Sequence, residues 1–182
     1  MLLALAALAP SSCGDDDPTG PTPEKGARFV FELGADLTQG ERFYDVPYPS
    51  DLRVDAQGRP QLDGAPNPNS NSAVAQLRDA AAKRVGFPVL PVASLRFTEP
   101  VAPQSEATVQ GRDASSAVLL VVVDEASPNR GELVPVVVQT LPVDPYVPEN
   151  LLAVAPVPGF VLRPATRYAI VVKKGLGDAG GA

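Results

Sequence analysis

The stretch AVLLVVVDEASPNRGELVPVVVQTL, residues 117 to 141, reads as strand, turn, strand. Residues 117–125 are apolar almost throughout and dense in β-branched valine, the composition of a strand buried on both faces. Ala126 to Gly131 (ASPNRG) is made of turn residues, and 132–141 returns as the second strand of a hairpin. Pro135 has no N–H to give to a ladder, so the second strand is expected at a sheet edge or with a bulge.

The same pattern continues outward. VASLRFTEPV (92–101) alternates, with Val92, Ser94, Arg96 and Thr98 on one side and Ala93, Leu95, Phe97 and Glu99 on the other. ENLLAVAP (149–156), RYAIVVKK (167–174) and RFVFEL (28–33) are further β-prone runs, while 43–64 is extended with turns at 55–58 and 62–64. One segment departs from this. SAVAQLRDAAAKRV (72–85) places Val74, Leu77, Ala81 and Val85 on one helical face, to be packed on the domain. Ser72 can cap it, Asp79 and Lys83 form an i,i+4 pair, and Gly86-Phe87-Pro88 stops it. Short strands joined by turns, with a single helix, define an all-β sandwich.

Composition agrees. Of 182 residues, 45% are apolar, none is tryptophan, and 21 prolines with 15 glycines supply the turns. The net charge of −6 leaves no basic footprint for nucleic acid, so none is expected as a partner. Histidine is absent, which removes the Ser-His-Asp triad, the Cys-His pair, HExxH zinc sites and His-ligated metals. GxSxG and Ser-x-x-Lys are absent as well, so no catalytic residue, metal ligand or cofactor is assigned.

The N-terminus carries its own signal. MLLALAALA, residues 1–9, is too short to span a bilayer, which takes about 20 residues. It has the length of a secretory h-region. Pro10-Ser-Ser-Cys13 then resembles the end of a bacterial lipoprotein signal, in which the mature chain begins at a diacylated cysteine. The resemblance implies a signal peptide over 1–12, lipid attachment at Cys13 and a membrane as partner through that anchor. Pro10 stands where the pattern has a branched aliphatic residue, and no Lys or Arg precedes the apolar run. Cleavage after Ala9 would leave Pro10 next to the cut, where proline is usually refused; an unprocessed terminus with an incidental thiol is the plain alternative. Residues 13–27, rich in Asp, Pro and Gly, read as a flexible tether, and Asp15 to Asp17 lack the spacing of a calcium loop. The folded domain is assigned to 28–182.

Several residues invite chemistry. Asp51, Asp55 and Asp63 could be joined into a carboxylate or calcium site, but aspartates more commonly cap turns. Gly175-Leu-Gly177-Asp-Ala-Gly180 formally matches GxGxxG; a dinucleotide site would also need a following helix and a later acidic residue, and positive-φ turn glycines are expected instead. Tyr44 and Tyr48, with Pro47 and Pro49, either present a ligand surface or pack their loop over the sandwich.

Leu162-Arg-Pro164-Ala-Thr166-Arg-Tyr168, leading into AIVVKK, is an L-x-P-x-T-x-Y pattern. It resembles the tyrosine corner of immunoglobulin-like sandwiches, whose tyrosine hydroxyl bonds to backbone a few residues upstream. GLGDAGG (175–181) is similar to the turn after that strand in bacterial Ig-like domains. Phe43 to Leu52 (FYDVPYPSDL) is similar to a stretch near the mature start of large bacterial lipoproteins, some of which carry an Ig-like domain ahead of an α/β-hydrolase lipase domain.

The resemblance implies an Ig-like β-sandwich with one short helix, lacking its last strand. It further implies a non-catalytic, lipid-anchored module of the bacterial cell envelope, on the outer membrane or secreted, with a downstream domain of the same chain as partner. The alternatives are the front part of a secreted lipase or esterase whose catalytic residues lie beyond 182, and a free-standing extracellular binding module.

Overall fold

In the computed structural model, which describes residues 25–180, the run 117–141 divides between two sheets. β1 (Ala93–Arg96), β2 (Val109–Gln110), β3 (Val118–Val122), β4 (Leu133–Val134), β5 (Val136–Thr140), β6 (Leu151–Pro156) and β7 (Tyr168–Val172) form antiparallel sheets of order β1-β6-β5-β2 and β4-β3-β7. With one α-helix (α1, Ser72–Ala82) among the described residues, this is an all-β, sandwich-like fold. No helix among those residues is long and apolar enough to cross a membrane.

Pro135 marks the division. Before it, β4 closes a hairpin on β3, with Leu120 opposite Val134. After it, β5 lies inside the other sheet, between β6 and β2. The expected single edge or bulged strand is thus two strands, and the residue that cannot donate sits where the chain leaves one ladder for the other. The core fills the space between the sheets: Val118 and Leu120 of β3 meet Val136 and Val138 of β5 and Leu152 and Val154 of β6 in one buried cluster.

β3 is not buried on both faces. Val118, Leu120 and Val122 are buried, whereas Leu119 and Val121 are half-buried. The doubly buried strand is β6, whose residues Leu151 to Val154 are all buried between β1 and β5. β1 keeps its expected alternation, with Ala93, Leu95 and Phe97 inward. RFVFEL contributes a single bridge, Phe29 to Phe97, beside which Arg28 N donates to Thr98 Oγ1 at 3.0 Å.

The helix differs most from its sequence reading. Asn71, not Ser72, caps it, accepting from Ala73 N at 2.9 Å. None of its residues is fully buried, and Leu77 is 70% exposed. The less exposed positions, Val74, Ala75, Arg78, Ala81 and Ala82, center on Arg78, which donates to Ala65 O at 2.9 Å. A polar anchor to the 55–65 loop therefore sets the rotation, and Leu77 falls on the flank. Asp79 and Lys83 are not among the ion pairs of the described residues.

Candidate functional site

Residues 40–54 wrap the outer edge of β1. Gly40–Asp45 and Asp51–Arg53 are short 3-10 turns, and Tyr48 bridges Ser94 of β1 between them. Ser50 begins the second turn: its Oγ accepts from Leu52 N at 3.3 Å and its carbonyl from Arg53 N at 2.9 Å. This tight turn inverts the expected burial. Leu52 is 54% exposed, and Arg53 is 1% exposed.

Arg53 and Asp45 are the buried polar or charged residues among those described, and Arg53 is the more deeply buried. Its guanidinium carbon lies 3.9 Å from the Phe43 ring centroid and 5.6 Å from that of Tyr48, within cation–π range of both. Nη1 donates to the carbonyls of Phe43 and Val46. Nε and Nη2 are buried and have no acceptor. Desolvation lowers the affinity of Arg53 for its proton, and burial raises the phenols of Tyr44 and Tyr48 above their ordinary value. Arginine starts so high that it stays charged at neutral pH. Tyr48 also packs edge-on against Phe87 at 5.5 Å and exchanges backbone hydrogen bonds with Ser94 of β1, so this loop is folded onto the sandwich edge rather than held out from it.

A second cationic contact fastens the same segment. Asp45, 8% exposed, accepts from Arg42 Nε at 2.8 Å and from Arg96 Nη1 of β1 at 2.7 Å. Donating that hydrogen bond to Asp45 raises Arg42 above the usual guanidinium value. Together these contacts make 42–53 a clamp on β1, chemically a cation held by rings and carbonyls beside a carboxylate held by two cations.

The expected sites separate. Asp51 pairs with Arg167 at 3.1 Å on the surface, and Asp55 Oδ1 caps its turn by accepting from Gln57 N and Arg59 N, both at 2.8 Å. Asp63 lines an open groove of about 320 Å³ with Asp55, Arg59, Arg78 and Asp79. Asp55 and Asp63 thus share one groove while Asp51 is not among its lining residues, and no metal-holding group of acidic or cysteine side chains occurs among the described residues. Of the glycines in GLGDAGG, Gly177 has φ 73° and ends the turn Lys174–Leu176; its carbonyl accepts from Ala102 N at 3.1 Å. At the L-x-P-x-T-x-Y stretch, Leu162 is buried in the core, Thr166 Oγ1 donates to Pro164 O at 3.1 Å, and Tyr168 Oη accepts from Arg163 N at 2.9 Å. Cys13 and the signal and tether before residue 25 lie outside the described residues.

Sequence reasoning missed Arg53 altogether. A lone Arg after Asp-Leu looks like a surface residue; its only sequence signal is the aromatic run Phe43, Tyr44, Tyr48 ahead of it. Compared with known proteins, the chain matches no family model, no curated protein and no solved structure.

Proposed function

We propose that the chain is a non-catalytic, Ig-like module of a lipid-anchored bacterial envelope protein, which tethers or positions a further domain of the same polypeptide. The observation that carries this reading is the order of physical types along the chain. An apolar run and the lone Cys13 come first, and a polar Asp/Pro/Gly stretch follows. That stretch gives way to the two-sheet body where Arg28 and Phe29 seat on Thr98 and Phe97. Two acyl chains on one sulfur hold a protein on a bilayer where a single chain binds only marginally. The polar stretch supplies reach, and the sandwich supplies a stiff spacer. The hydrogen bond from Arg163 to the Tyr168 hydroxyl supports the Ig-like part of the reading.

The test is expression of the full chain in a bacterial host, followed by fractionation and mass spectrometry of the N-terminal peptide. Diacylated Cys13 as first residue is expected in the membrane fraction, and Cys13→Ser should release the protein. An intact Met1 or an unmodified Cys13 thiol in the mature protein would refute the proposal.

A further inference from the structure

Across the sheet β1-β6-β5-β2, Val136, Val138, Leu152 and Val154 face the core, so Val137 and Ala155 face outward. The register sets Val137 opposite Ala155 and Val109 opposite Val137. Val92, one step beyond the Ala93–Val154 pair, continues the row on the remaining strand. Four aliphatic side chains thus line up across the sheet. Val92 and Val109 are 58% and 53% exposed, and Val137 and Ala155 are half-buried. Next to this row 89–90 lies along 160–162, where Leu162 N donates to Val89 O at 2.9 Å, and Leu90, Phe160 and Val161 are exposed too. Leu151 and Ala153, on the outward side of β6, are buried, so this side of the sheet is covered at one end and bare at the other.

The bare part carries no charge. Asp, Glu, Lys and Arg are all missing from 85–95, 107–111, 133–143 and 150–162, the stretches that build it, in a chain of which 20% is charged. At its rim Arg112 lies 5.2 Å over the Phe160 ring and pairs with Glu132 at 3.6 Å. A strand following β7 would extend the other sheet, β4-β3-β7, and would not cover this face. Both ends of the described chain also leave from elsewhere: Arg28 N is held by Thr98 Oγ1 and Ala179 N by Pro100 O, past the opposite end of β1.

We infer that this aliphatic face is where a second copy of the chain packs, sheet against sheet, in a two-fold dimer. A two-fold contact brings the same patch of both copies together, and a patch of aliphatic side chains without charge is complementary to itself. High apolar content and depletion of charge are the marks of homodimer interfaces, whereas interfaces with transient partners are no more apolar than ordinary surface. The exposed parts of Val89, Leu90, Val92, Val109, Phe160 and Val161 come to about 500 Å² per copy, so a pair buries about 1,000 Å², the lower bound for a specific interface. The inference does not depend on lipid attachment at Cys13.

The experiment is sedimentation equilibrium of the full chain carrying Cys13→Ser, which removes any thiol link between copies, with methyl NMR of Val92, Val109 and Val137. Twice the chain mass is expected at about 100 μM. The three valines should become shielded from a soluble spin label as the mass rises. The double variants Val92→Lys/Val109→Lys and Val92→Glu/Val109→Glu should each be monomeric, because only the dimer sets their like charges against one another. Unchanged circular dichroism is the check on their folding. Mixed in equal amounts at low salt, the two should associate about tenfold more tightly than either alone, the combined effect of several exposed charge pairs. Leu77→Lys, on the helix and 70% exposed, should leave the parent dimer intact. A parent that is monomeric at that concentration, or that forms larger open-ended species, would overturn the inference. So would double variants as dimeric as the parent, or a mixture no tighter than its components. Valines already shielded in a monomer would overturn it as well, because another segment of the chain then covers the face.

Discussion

Replacing Arg53 with methionine should cost less than replacing it with lysine, although lysine keeps the charge. At 1% exposure the arginine works against its own desolvation. In its favour are hydrogen bonds to two carbonyls, about 1.5–3 kcal/mol each for a charged donor, and about 1–2 kcal/mol from the Phe43 ring at 3.9 Å. Against it are two buried nitrogens without acceptors, about 1–3 kcal/mol each, and the desolvation of a cation, several kcal/mol more. The two sides nearly cancel. Methionine keeps the stem, removes the charge and the orphaned donors, and leaves two carbonyls bare; a loss of about 1 kcal/mol is expected. Lysine keeps the charge as a compact, strongly hydrated ammonium that can neither lie flat on the ring nor fork to both carbonyls. A loss of about 3 kcal/mol is expected. The difference of about 2 kcal/mol separates the melting temperatures by about 4–8 °C in a domain of this size. The assay is thermal and urea unfolding by circular dichroism, with tyrosine emission as second probe since the chain has no tryptophan. A lysine variant as stable as the parent, with methionine about 3 kcal/mol worse, would refute the reasoning: the charge would then have a true counter-ion.

Three further outcomes follow from the same geometry. Leu152, at 0% exposure in β6, should lose about 2–5 kcal/mol on truncation to alanine, read as a lower urea midpoint at unchanged slope; a loss under about 1 kcal/mol would deny its place in the core. Gly64 and Gly131 both have positive φ, but a methyl at Gly64 would stand 2.3 Å from Leu37 O, whereas at Gly131 nothing lies within 4 Å. Alanine should therefore cost about 1–2 kcal/mol at Gly131 from backbone conformation alone, and clearly more at Gly64; equal melting temperatures would contradict this. Hydrogen bonds from Thr38 side chain and backbone hold Asp36 below the ordinary carboxylate value of 3.8. A carboxyl depressed in the folded state contributes stability that is complete above that ordinary value and lost as pH falls through the folded one. Carboxyl NMR titration should show Asp36 moving up toward 3.8 in Thr38→Val, which keeps the backbone donor, and an unchanged titration would remove the Thr38 hydroxyl as the leading cause.

Much of the architecture was legible because alternation and turn chemistry are local. Ala93, Leu95 and Phe97 point inward as their spacing requires, and Asp55 caps the turn its sequence marks. What escaped the sequence depended on neighbours far along the chain. Valine density could not tell a strand buried on one face from one buried on both, since that depends on what lies over the second face; β6 has it and β3 does not. The helix face was misjudged for the same reason. Its orientation follows a hydrogen bond from Arg78 to Ala65, thirteen positions away, and not the apolar stripe through Leu77.

The sequence by itself determined the class of the fold: short valine-rich strands between proline and glycine turns, with a single helix. It also placed a lone cysteine after an apolar run, and it removed histidine chemistry from the chain. The tertiary structure alone decided that Pro135 is a crossing between sheets, that Arg53 rather than Leu52 is buried, and that β6 rather than β3 is the strand buried on both faces. The physical reason is common to all three. Period and turn residues act within a few positions, whereas sheet membership and burial are fixed by which distant strand, ring or carbonyl comes to lie alongside.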